Sequence, residues 1–438
     1  GALRTLWVSP GGNDADAGTQ ASPWRTVQKA ANSVVAGDLV YLRAGTYAPF
    51  TLSGRSGTEA RPIVFAGYPG DASRPVIDGA EVATWVVNLN NVHDVVVRNL
   101  EVIRGRAPGQ NGGGILVNGS YRVTVEDNVL HDNSAYGVRS VQSTYIAIRD
   151  NDIYGNAAGI EIRYQGEGTQ VLDNLVHDQD RMMTNTVGGN DDTGAQAIIF
   201  VRSTGTVLAK GNRMWQNRAQ SYDYGHDGGA FEIYSASNVT MTDNVMWDND
   251  TTFESGTDSG VECANNVFAR NIAYDDNPNT LSLGMILRCA RDMVIAHNTF
   301  QNLDYWVFDI NTNSTSYSGK IDGVRILNNV TSMNNGKIYA FGAGIPLATM
   351  TIDHNLDYNP GRYIASVSGY GNATTTAQLT SWTGKQANGV NAAPGFVDGG
   401  AFDFRLMANS PALDRGTVVP AWSAGYAGAA PDMGRYER

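Results

Sequence analysis

The chain has 438 residues, 42% of them hydrophobic, and a formal net charge of −12. This hydrophobic content predicts a packed core and excludes a chain that is disordered throughout, while the acidic balance argues against nucleic acids and anionic membranes as partners. No run of roughly 18 apolar residues, the length that a membrane-spanning helix needs, occurs in the sequence.

The first predicted element is an amphipathic helix over residues 23–34, PWRTVQKAANSV. Such a helix would cover the first turn of a solenoid, whose open end leaves backbone groups unpaired. The opening GALRTLWVSP lacks the charged and apolar segments of a signal peptide, so any such peptide has been removed or was never present. An acidic, lysine-poor composition rich in Asn, Thr, Ser and Gly is typical of a mature secreted protein.

A repeat with the pattern apolar–x–apolar–x–x–Asn–apolar runs through the middle of the chain, and its shortest copies are 22 or 23 residues apart. A turn of about 22 residues that holds two or three short strands is typical of a parallel β-helix. Each Asn side chain can hydrogen-bond to the equivalent Asn one turn away, which satisfies polar groups inside the coil. The first asparagines of the copies are Asn128, Asn151, Asn174, Asn212, Asn244, Asn266, Asn298, Asn329 and Asn355.

The repeat predicts an all-β fold and a single domain over residues 1–438. Residues 1–85 would form the N-terminal cap and first turns, and residues 86–358 the regular turns. Residues 359–438 are rich in Pro and Gly and break the repeat, so we expect a closing segment. A second asparagine follows five residues after the first in six copies, at Asn133, Asn156, Asn217, Asn249, Asn271 and Asn334.

The chain has two cysteines, Cys263 and Cys289. We predict two buried thiols that pack as small apolar side chains. A single disulfide is the alternative, because no CxxC spacing indicates a metal or redox site.

Three features resemble the pectin-lyase-like superfamily: the N-terminal LWVSPGGNDADAGTQASPWRTVQKAANSVVAGDLVYLRAGTY, the Asn-containing turns, and the closing PGFVDGGAFDFRLMANSPALDRG. The resemblance implies a right-handed parallel β-helix with an N-terminal capping helix. It also implies a protein that acts on polysaccharides. It does not imply the reaction, because the superfamily contains lyases, hydrolases, epimerases, esterases and phage tailspikes.

Aligning the turns on the first Asn predicts which side chains stack on the outer face of one sheet. The outward position lies 12 residues before that Asn, or 13 in one turn, and two residues further on lies the next outward position. The first predicted column is Leu116, Arg139, Glu161, Phe200, Glu232, Glu254 and Ile286, followed by Asp309, which is placed by its local pattern and not by this count. The second is Val141, Arg163, Arg202, Tyr234, Gly256 and Arg288.

Glu232 and Glu254 would therefore be neighbours on adjacent strands, roughly 4.8 Å apart. Like charges opposite each other destabilise a sheet, and one carboxyl should keep its proton longer. We predict a catalytic pair; the alternative is a solvated ladder relieved by Arg202, Arg288 and water.

The predicted spacing matches the carboxyl separation of about 5–5.5 Å in retaining glycosidases, whereas Glu161 and Glu232 would fit the longer separation of inverting enzymes. We assign Glu232 as the nucleophile and Glu254 as the acid/base. The pair resembles that of β-helix glycosidases of the β-xylosidase type, although those carry an Asp–Glu pair.

The segments that follow Asn174, Asn212 and Asn266 are longer than in the other turns, and we expect them to wall a cleft over the glutamates. Stacking and forked hydrogen bonds to a sugar suit their side chains and those of the sheet. The predicted substrate-binding residues are Arg163, Arg202, Tyr234, Arg288, Asp192, Asp223, Tyr224, His226 and Asp227.

Two other functions stay open. A uronate lyase would need arginines or Ca²⁺ to neutralise the substrate carboxylate, and Asp191, Asp192, Asp223 and Asp227 could supply oxygen ligands. A lysine base fits poorly, since Lys210 is predicted on another sheet. The other possibility is a glycan-binding protein without activity. We expect a secreted monomer with a poly- or oligosaccharide partner and no required cofactor, Ca²⁺ being the one candidate.

Overall fold

The computed structural model describes residues 3–106, 112–258, 261–312 and 319–438. Short strands stack in three long, almost entirely parallel sheets, here called A, B and C, and only two α-helices occur in this part of the chain. Most turns contribute one strand to each sheet, which is the parallel β-helix that the repeat predicts. None of these helices combines the length and apolar character needed to cross a bilayer.

The chain divides into two compact units. Unit 1 comprises residues 1–208 and 217–228, and unit 2 comprises residues 209–216 and 229–438. The strand Val207–Lys210 contains the boundary. The organisation as a single domain, and the subdivision at residues 85 and 358, stay predictions.

Unit 1 contributes strands to all three sheets. In sheet A they are Thr5–Val8, Leu39–Leu42, Ile63–Gly67, His93–Arg98, Tyr121–Glu126, Ala147–Arg149 and Thr169–Leu172. In sheet B they are Thr46–Tyr47, Val76–Asp78, Glu101–Ile103, Val129–His131, Asp152–Tyr154 and Leu175–His177. In sheet C they are Phe50–Ser53, Trp85–Asn90, Gly113–Asn118, Tyr136–Val141, Ala158–Arg163 and Gln196–Val201.

Unit 2 repeats this arrangement. In sheet A the strands are Val239–Thr242, Val267–Ala269, Val294–Ala296, Arg325–Leu327 and Thr351–Asp353. In sheet B they are Arg213–Trp215, Val245–Trp247, Ile272–Tyr274, Thr299–Gln301, Val330–Ser332 and Leu356–Tyr358. In sheet C they are Gly229–Tyr234, Thr251–Gly256, Leu283–Leu287, Asp304–Ile310, Lys337–Phe341 and Tyr363–Val367, followed by the antiparallel Gly371–Ala373.

The remaining elements are short. The helix α1 is Val27–Ala31 and the helix α2 is Thr376–Thr383. Single 3₁₀ turns occur at Leu347–Thr349 and Gly399–Ala401. Within the described ranges, four strand pairs lie outside the three sheets: Met182–Thr184 with Thr193–Gly194, Ala219–Ser221 with Gly225–Asp227, Ala290–Arg291 with Ile321–Asp322, and Phe396–Asp398 with Asp403–Leu406.

The N-terminal helix is shorter than the predicted span of residues 23–34. Its N-cap is Thr26, whose side chain accepts a hydrogen bond from the backbone N–H of Lys29 at 3.1 Å. The residues before Thr26 are not helical, and Trp24 forms a bridge with Val8. Pairing with a neighbouring strand therefore takes the backbone hydrogen bonds that a longer helix would need.

The asparagine ladder is confirmed in both units. In unit 1 the Asn128 amide donates to Asn151 at 3.1 Å, and Asn151 donates to Asn174 at 2.9 Å. In unit 2 the ladder is Asn212, Asn244, Asn271, Asn298, Asn329 and Asn355. All of these side chains are buried, so each amide makes the hydrogen bond that water cannot make to its neighbour.

One predicted ladder position is wrong. Asn271, and not Asn266, receives the amide of Asn244 at 2.9 Å. Asn266 instead accepts from the backbone N–H of Val239 at 3.0 Å and donates to the carbonyl of Ala236 at 3.0 Å. The turn between Asn244 and Asn271 is therefore five residues longer than predicted.

The predicted outward columns differ from the observed ones by one residue in a single turn, at Phe200 and Arg202. Glu161 pairs with Ile199, and Arg163 pairs with Val201. Phe200 is therefore not an outward residue but a fully buried one, and Arg202 lies beyond the end of its strand. The run from Ile198 to Val201 is apolar on both faces, so alternation could not fix the register.

The prediction of two free thiols is also wrong. Cys263 and Cys289 form a disulfide with a Cα–Cα distance of 5.5 Å. The bond joins the segment after the strand Thr251–Gly256 to the residue that follows Arg288, so it lies beside the part of sheet C that carries Glu254.

Candidate active site

Sheet C of unit 2 places Glu232 directly opposite Glu254. The two residues are paired in the parallel register between the strands Gly229–Tyr234 and Thr251–Gly256, so the predicted register of the pair is confirmed. Phe231, Ile233 and Phe253 beside them are buried in the core, which fixes both glutamates on the outer face. Both glutamate side chains are half-buried and retain a surface that a ligand could reach.

Charged and polar groups surround this pair within unit 2. Glu254 is followed in register by Ile286 and then by Asp309. Arg288 donates to the Asp309 carboxylate at 2.6 Å and to its backbone carbonyl at 3.2 Å. The hydroxyl of Tyr234 donates to Asp258 at 3.0 Å. The arginine is thereby held by one carboxylate in the same column as the glutamates.

The environment of Glu254 favours its protonated form. Burial is the main cause that raises the pKa of the Glu254 carboxyl; Arg288 opposes this shift and Asp250 adds to it. A carboxyl group that keeps its proton beside a second carboxylate is the arrangement required of a general acid. The raised pKa is consistent with the acid/base role of Glu254, which stays a prediction.

Glu161 occupies the same column in unit 1 but has a different environment. Its side chain is 2% exposed and accepts hydrogen bonds from Arg139 at 2.7 Å and from Arg163 at 2.8 Å. Arg139 also lies over the ring of Tyr136, with 4.6 Å to the centroid. A catalytic group must contact its substrate, and these contacts leave little of the Glu161 carboxylate accessible, so they disfavour the predicted catalytic role of Glu161.

Tyr164 is a residue that the sequence did not single out. Its ring is 38% exposed, and hydrogen bonds to Arg163 and Arg202 lower the pKa of its hydroxyl. Both arginines were predicted to bind substrate, and in unit 1 they share this tyrosine. A tyrosine that ionises more readily than usual is a candidate proton acceptor.

The long segments after Asn174 and Asn217 form two hairpins in unit 1, Met182–Gly194 and Ala219–Asp227. The Asn185 amide donates to the Gln220 carbonyl at 2.9 Å and joins them. Tyr224 and His226 are exposed on the second hairpin. That these segments wall a cleft over the glutamates stays a prediction.

Three of the four aspartates predicted as Ca²⁺ ligands come together between the hairpins. One carboxylate oxygen each from Asp191, Asp192 and Asp223 lies within 4.8 Å of the others. The Oδ1 atom of Asp192 is buried and has no hydrogen-bond partner in the described residues. Asp227 is outside this group, and its Oδ1 accepts from the backbone N–H of Gly228 at 2.7 Å. Hard carboxylate oxygens of this kind fit Ca²⁺.

Unit 2 contains a further group of acidic residues, Asp248, Asp275 and Asp276, which sequence reasoning did not single out. The backbone N–H of Asp276 donates to Asp248 at 2.9 Å. Hydrogen bonding to Asp248, followed by burial, raises the pKa of Asp276 to about 6, and burial raises the pKa of Asp248 and of Asp275. Asp275 and Asp276 line a pocket of about 370 Å³. The sequence shows two adjacent aspartates at residues 275–276, but it does not indicate that Asp248, on another turn, lies beside them.

The fold and these contacts define a right-handed parallel β-helix with an outward carboxylate pair. The chain belongs to the Pel9A-like family, whose right-handed β-helix region matches residues 6–342. The resemblance to pectin-lyase-like β-helix proteins is thereby confirmed.

Several proteins of known name or structure are similar to this chain. A pectate lyase, PEL9 of Emericella nidulans, is 26% identical over 259 residues, which are 56% of this chain and 57% of that protein. The crystal structure of pectate lyase Pel9A is 16% identical with a TM-score of 0.52, covering 100% of this chain and 97% of that one. The structure of XylC with xylose is 10% identical with a TM-score of 0.52, covering 89% and 87%. This chain spans less than two thirds of the length of the curated relatives it matches, and the structural likenesses show the fold.

Proposed function

We propose that this chain is a secreted carbohydrate-active enzyme that cleaves glycosidic bonds by a retaining hydrolysis. The observation that carries the proposal is the pairing of Glu232 with Glu254 in register on adjacent strands, both with accessible surface. Adjacent strands lie roughly 4.8 Å apart, close to the separation of about 5–5.5 Å used by retaining glycosidases. Membership of a family whose named relatives include pectate lyases supports a glycan substrate.

In this mechanism each glutamate has one role. Glu232 attacks the anomeric carbon while Glu254 donates its proton to the departing glycosidic oxygen, so one C–O bond forms as the other breaks. Glu254, now ionised, takes a proton from water, and that water displaces Glu232 from the sugar. The raised pKa of Glu254 suits the first step, and Arg288 limits how far the pKa rises.

A structural role accounts less well for the pair. Directly opposed like charges destabilise a sheet by about 0.2–1 kcal/mol, and Glu161 shows how this fold neutralises an outward carboxylate when none is needed for chemistry. A pair that keeps accessible surface beside the charge of Arg288 fits a bond-breaking function.

The test is a screen of polysaccharides and aryl glycosides that follows reducing ends and ultraviolet absorbance together. The hydrolase predicts reducing ends without the absorbance of an unsaturated product, and it predicts that Glu232→Gln and Glu254→Gln each abolish their release. Circular dichroism of both variants serves as the folding control. Full activity in both variants on the true substrate would refute the assignment. Binding that survives in both variants, with no turnover by the wild type, would indicate a glycan-binding protein.

The second candidate is a uronate lyase, favoured by the Asp191–Asp192–Asp223 group and by the pectate lyases among the relatives. The three aspartates would hold Ca²⁺, which neutralises a substrate carboxylate when bound. In this chain Tyr164 is the candidate base, because Arg163 and Arg202 lower the pKa of its hydroxyl.

Chelation separates the two candidates. The lyase predicts an unsaturated product, loss of activity with EDTA, and recovery on adding Ca²⁺. Asp192→Asn should weaken Ca²⁺ binding measured by calorimetry, whereas Asp180→Asn, on an exposed residue outside the group, is the matched control. Hydrolysis that is unchanged by EDTA and by Asp192→Asn would exclude the lyase.

A further inference from the structure

Arg288 lies between two outward carboxylates of sheet C in unit 2. It is the residue that follows the strand Leu283–Leu287. Within that strand, Ile286 pairs with Glu254 on one side and with Asp309 on the other. Arg288 is two residues beyond Ile286, so the two carboxylates occupy equivalent diagonal positions relative to it. Diagonal neighbours on a sheet lie roughly 7–8 Å apart, which is within reach of a long side chain.

The guanidinium of Arg288 is directed to Asp309. Its Nη2 donates to the Asp309 carboxylate at 2.6 Å, and its Nη1 donates to the backbone carbonyl of the same residue at 3.2 Å. The two side chains are 15% and 12% exposed, so this ion pair is largely removed from water. The backbone N–H of Arg288, in contrast, donates at 3.1 Å to the carbonyl of Ser255, on the strand that carries Glu254.

Unit 1 shows that the alternative contact is possible in this sheet. Glu161 occupies the first outward position of its strand, and Arg163 occupies the second, two residues later. The Nε atom of Arg163 donates to the Glu161 carboxylate at 2.8 Å. An arginine at the second outward position can therefore reach a glutamate at the first. In unit 2 the equivalent contact between Arg288 and Glu254 is replaced by the contact with Asp309.

Glu254 faces charged or titratable groups on each neighbouring element. These groups are Glu232 and Tyr234 on the preceding strand, Asp250 ahead of its own strand, and Arg288 after the next strand. The hydroxyl of Tyr234 is engaged with Asp258 at 3.0 Å. Arg288 is the cation of this set, so the position of its guanidinium decides how strongly the ionised form of Glu254 is stabilised.

The present position of that guanidinium leaves Glu254 without a charged partner in direct contact. Among the described residues, the influences on the pKa of Glu254 are burial and the charges of Arg288 and Asp250, and none of them is a hydrogen bond. An opposite charge in close contact typically lowers the pKa of a carboxyl group by about 1–3. Direct contact with Arg288 would therefore favour the ionised form of Glu254, which has no proton to donate.

We propose that Asp309 is a positioning residue of the active site, which holds Arg288 away from Glu254 and so keeps the acid catalyst protonated. The catalytic consequence rests on the proposed function, whereas the electrostatic one does not. Asp309 and Glu254 are two strand spacings apart, roughly 10 Å, which is about one Debye length at 0.1 M salt. Direct repulsion between the two carboxylates is therefore weak, and Asp309 acts through the arginine.

The direct test is the pKa of Glu254, measured by ¹³C NMR on protein labelled at the glutamate Cδ atoms. The Glu254 signal is the one that disappears in Glu254→Gln. Asp309→Asn leaves a largely buried arginine without its anion, which is costly. We therefore expect Arg288 to turn to Glu254 and to lower the pKa of Glu254 by about 1–3.

The matched control is Asp322→Asn. It removes the anion of another arginine pair of the same unit, that of Arg291 with Asp322 at 3.0 Å, and should leave the pKa of Glu254 unchanged. A pKa of Glu254 that stays the same or rises in Asp309→Asn would overturn the proposal, as would an equal decrease in Asp322→Asn.

Replacing the arginine should have the opposite effect. Arg288→Gln removes the cation that lowers the pKa of Glu254, so that pKa should rise above its wild-type value. Adding Asp309→Asn to Arg288→Gln should then change little, because the residue through which Asp309 acts is gone. These two variants keep the test decisive if Asp309→Asn alone does not fold. An unchanged pKa of Glu254 in Arg288→Gln, or a large further decrease on adding Asp309→Asn, would contradict the proposal.

The pH dependence of kcat supplies a readout that a merely structural role would not move. In Asp309→Asn, kcat should fall at neutral pH and recover as the pH is lowered, because Glu254 regains its proton. Asp309→Glu keeps an anion for Arg288 and should restore the wild-type profile. A kcat that is lowered equally at every pH would refute the positioning role.

The two kinds of measurement separate this proposal from the proposed function. Full activity in Glu254→Gln would refute the catalytic assignment alone, and the NMR titration would still decide whether Asp309 controls the protonation of Glu254. An inactive Glu254→Gln together with an unchanged pKa of Glu254 in Asp309→Asn would refute the role of Asp309 alone.

Discussion

Two outward carboxylate sites on sheet C show opposite solutions to the same electrostatic problem. In unit 1, Glu161 is buried and receives hydrogen bonds from Arg139 and Arg163. In unit 2, Glu232 faces Glu254, and both side chains keep accessible surface. The coil geometry is the same in both places, so the residues in register on adjacent strands decide whether a carboxylate supports the fold or remains available for chemistry.

The largest expected difference between the two sites is in activity. Glu254→Gln should lower kcat on the true substrate by about 10²–10⁴-fold, because a general acid contributes that much. Glu161→Gln should leave kcat within a few-fold of the wild type below its unfolding temperature. Steady-state assays of the purified variants on one substrate measure both. A loss of kcat in Glu161→Gln as large as in Glu254→Gln would break the comparison.

The next difference is in stability. Glu161→Gln removes the negative charge from a buried ion-pair group and leaves two arginine side chains without their anion, so the free energy of unfolding should fall by about 3 kcal/mol. Urea unfolding at neutral pH measures this. Glu126→Gln, at a more exposed pair with Arg149, is the control and should change the free energy of unfolding by about 1 kcal/mol or less. Equal effects would contradict a structural role for Glu161.

We expect a third site, the buried His297, to contribute to the acid stability of unit 2. His297 is buried; its Nε2 accepts from the Asn328 amide at 3.0 Å and lies 2.8 Å from the Ser423 hydroxyl. Burial lowers the pKa of His297 from 6.5 to about 4. The unfolded chain therefore binds this proton first, and stability should fall between pH 6.5 and 4 by up to about 3 kcal/mol.

Replacing this histidine tests that account. His297→Gln should lose stability at neutral pH through altered packing, but its free energy of unfolding should no longer fall through this pH range. Urea unfolding across the range, with the exposed His226→Gln as the control, gives the comparison. A wild type that is equally stable at both ends of the range would refute it.

The smallest expected effect is an increase in the free energy of unfolding at neutral pH, whereas the substitutions above are expected to decrease it. Burial raises the pKa of Glu254 above its ordinary 4.5, so the folded state is less stable once this group ionises. The contribution of this group to the free energy of unfolding is fully present below the ordinary pKa of the unfolded chain. It is lost as the pH rises through the raised pKa of the folded state. Glu254→Gln should therefore be more stable than the wild type at neutral pH, by about 0.5 kcal/mol, and equal to it in acid. A variant that is less stable at neutral pH would contradict the repulsive pair.

The features that the sequence predicted are those with a repeated local cause. The asparagine ladder recurs because each buried amide needs the same partner on each turn, and it placed Glu232 opposite Glu254. The position of Glu254 was predicted correctly although Asn266 was taken as the ladder residue in place of Asn271. The two asparagines share the same local pattern, and the five extra residues of that turn come after Glu254, so they do not change its register.

What the sequence could not predict depends on contacts between turns. The apolar run around Phe200 carries no alternation, so its register was open. The Cys263–Cys289 spacing of 26 residues is close to the local turn length of 27 between Asn271 and Asn298, a signal for the disulfide that was not used. The ion pairs of Glu161 and the acidic group of Asp248, Asp275 and Asp276 follow from tertiary placement and have no periodic signature.

The measurement that tests the central claim most directly is a time-resolved proton NMR spectrum of the wild type acting on its substrate. A glycosidase that uses Glu232 and Glu254 as described releases a first product with the anomeric configuration of the substrate and no olefinic proton. An inverted first product, or an olefinic proton from β-elimination, would contradict the account.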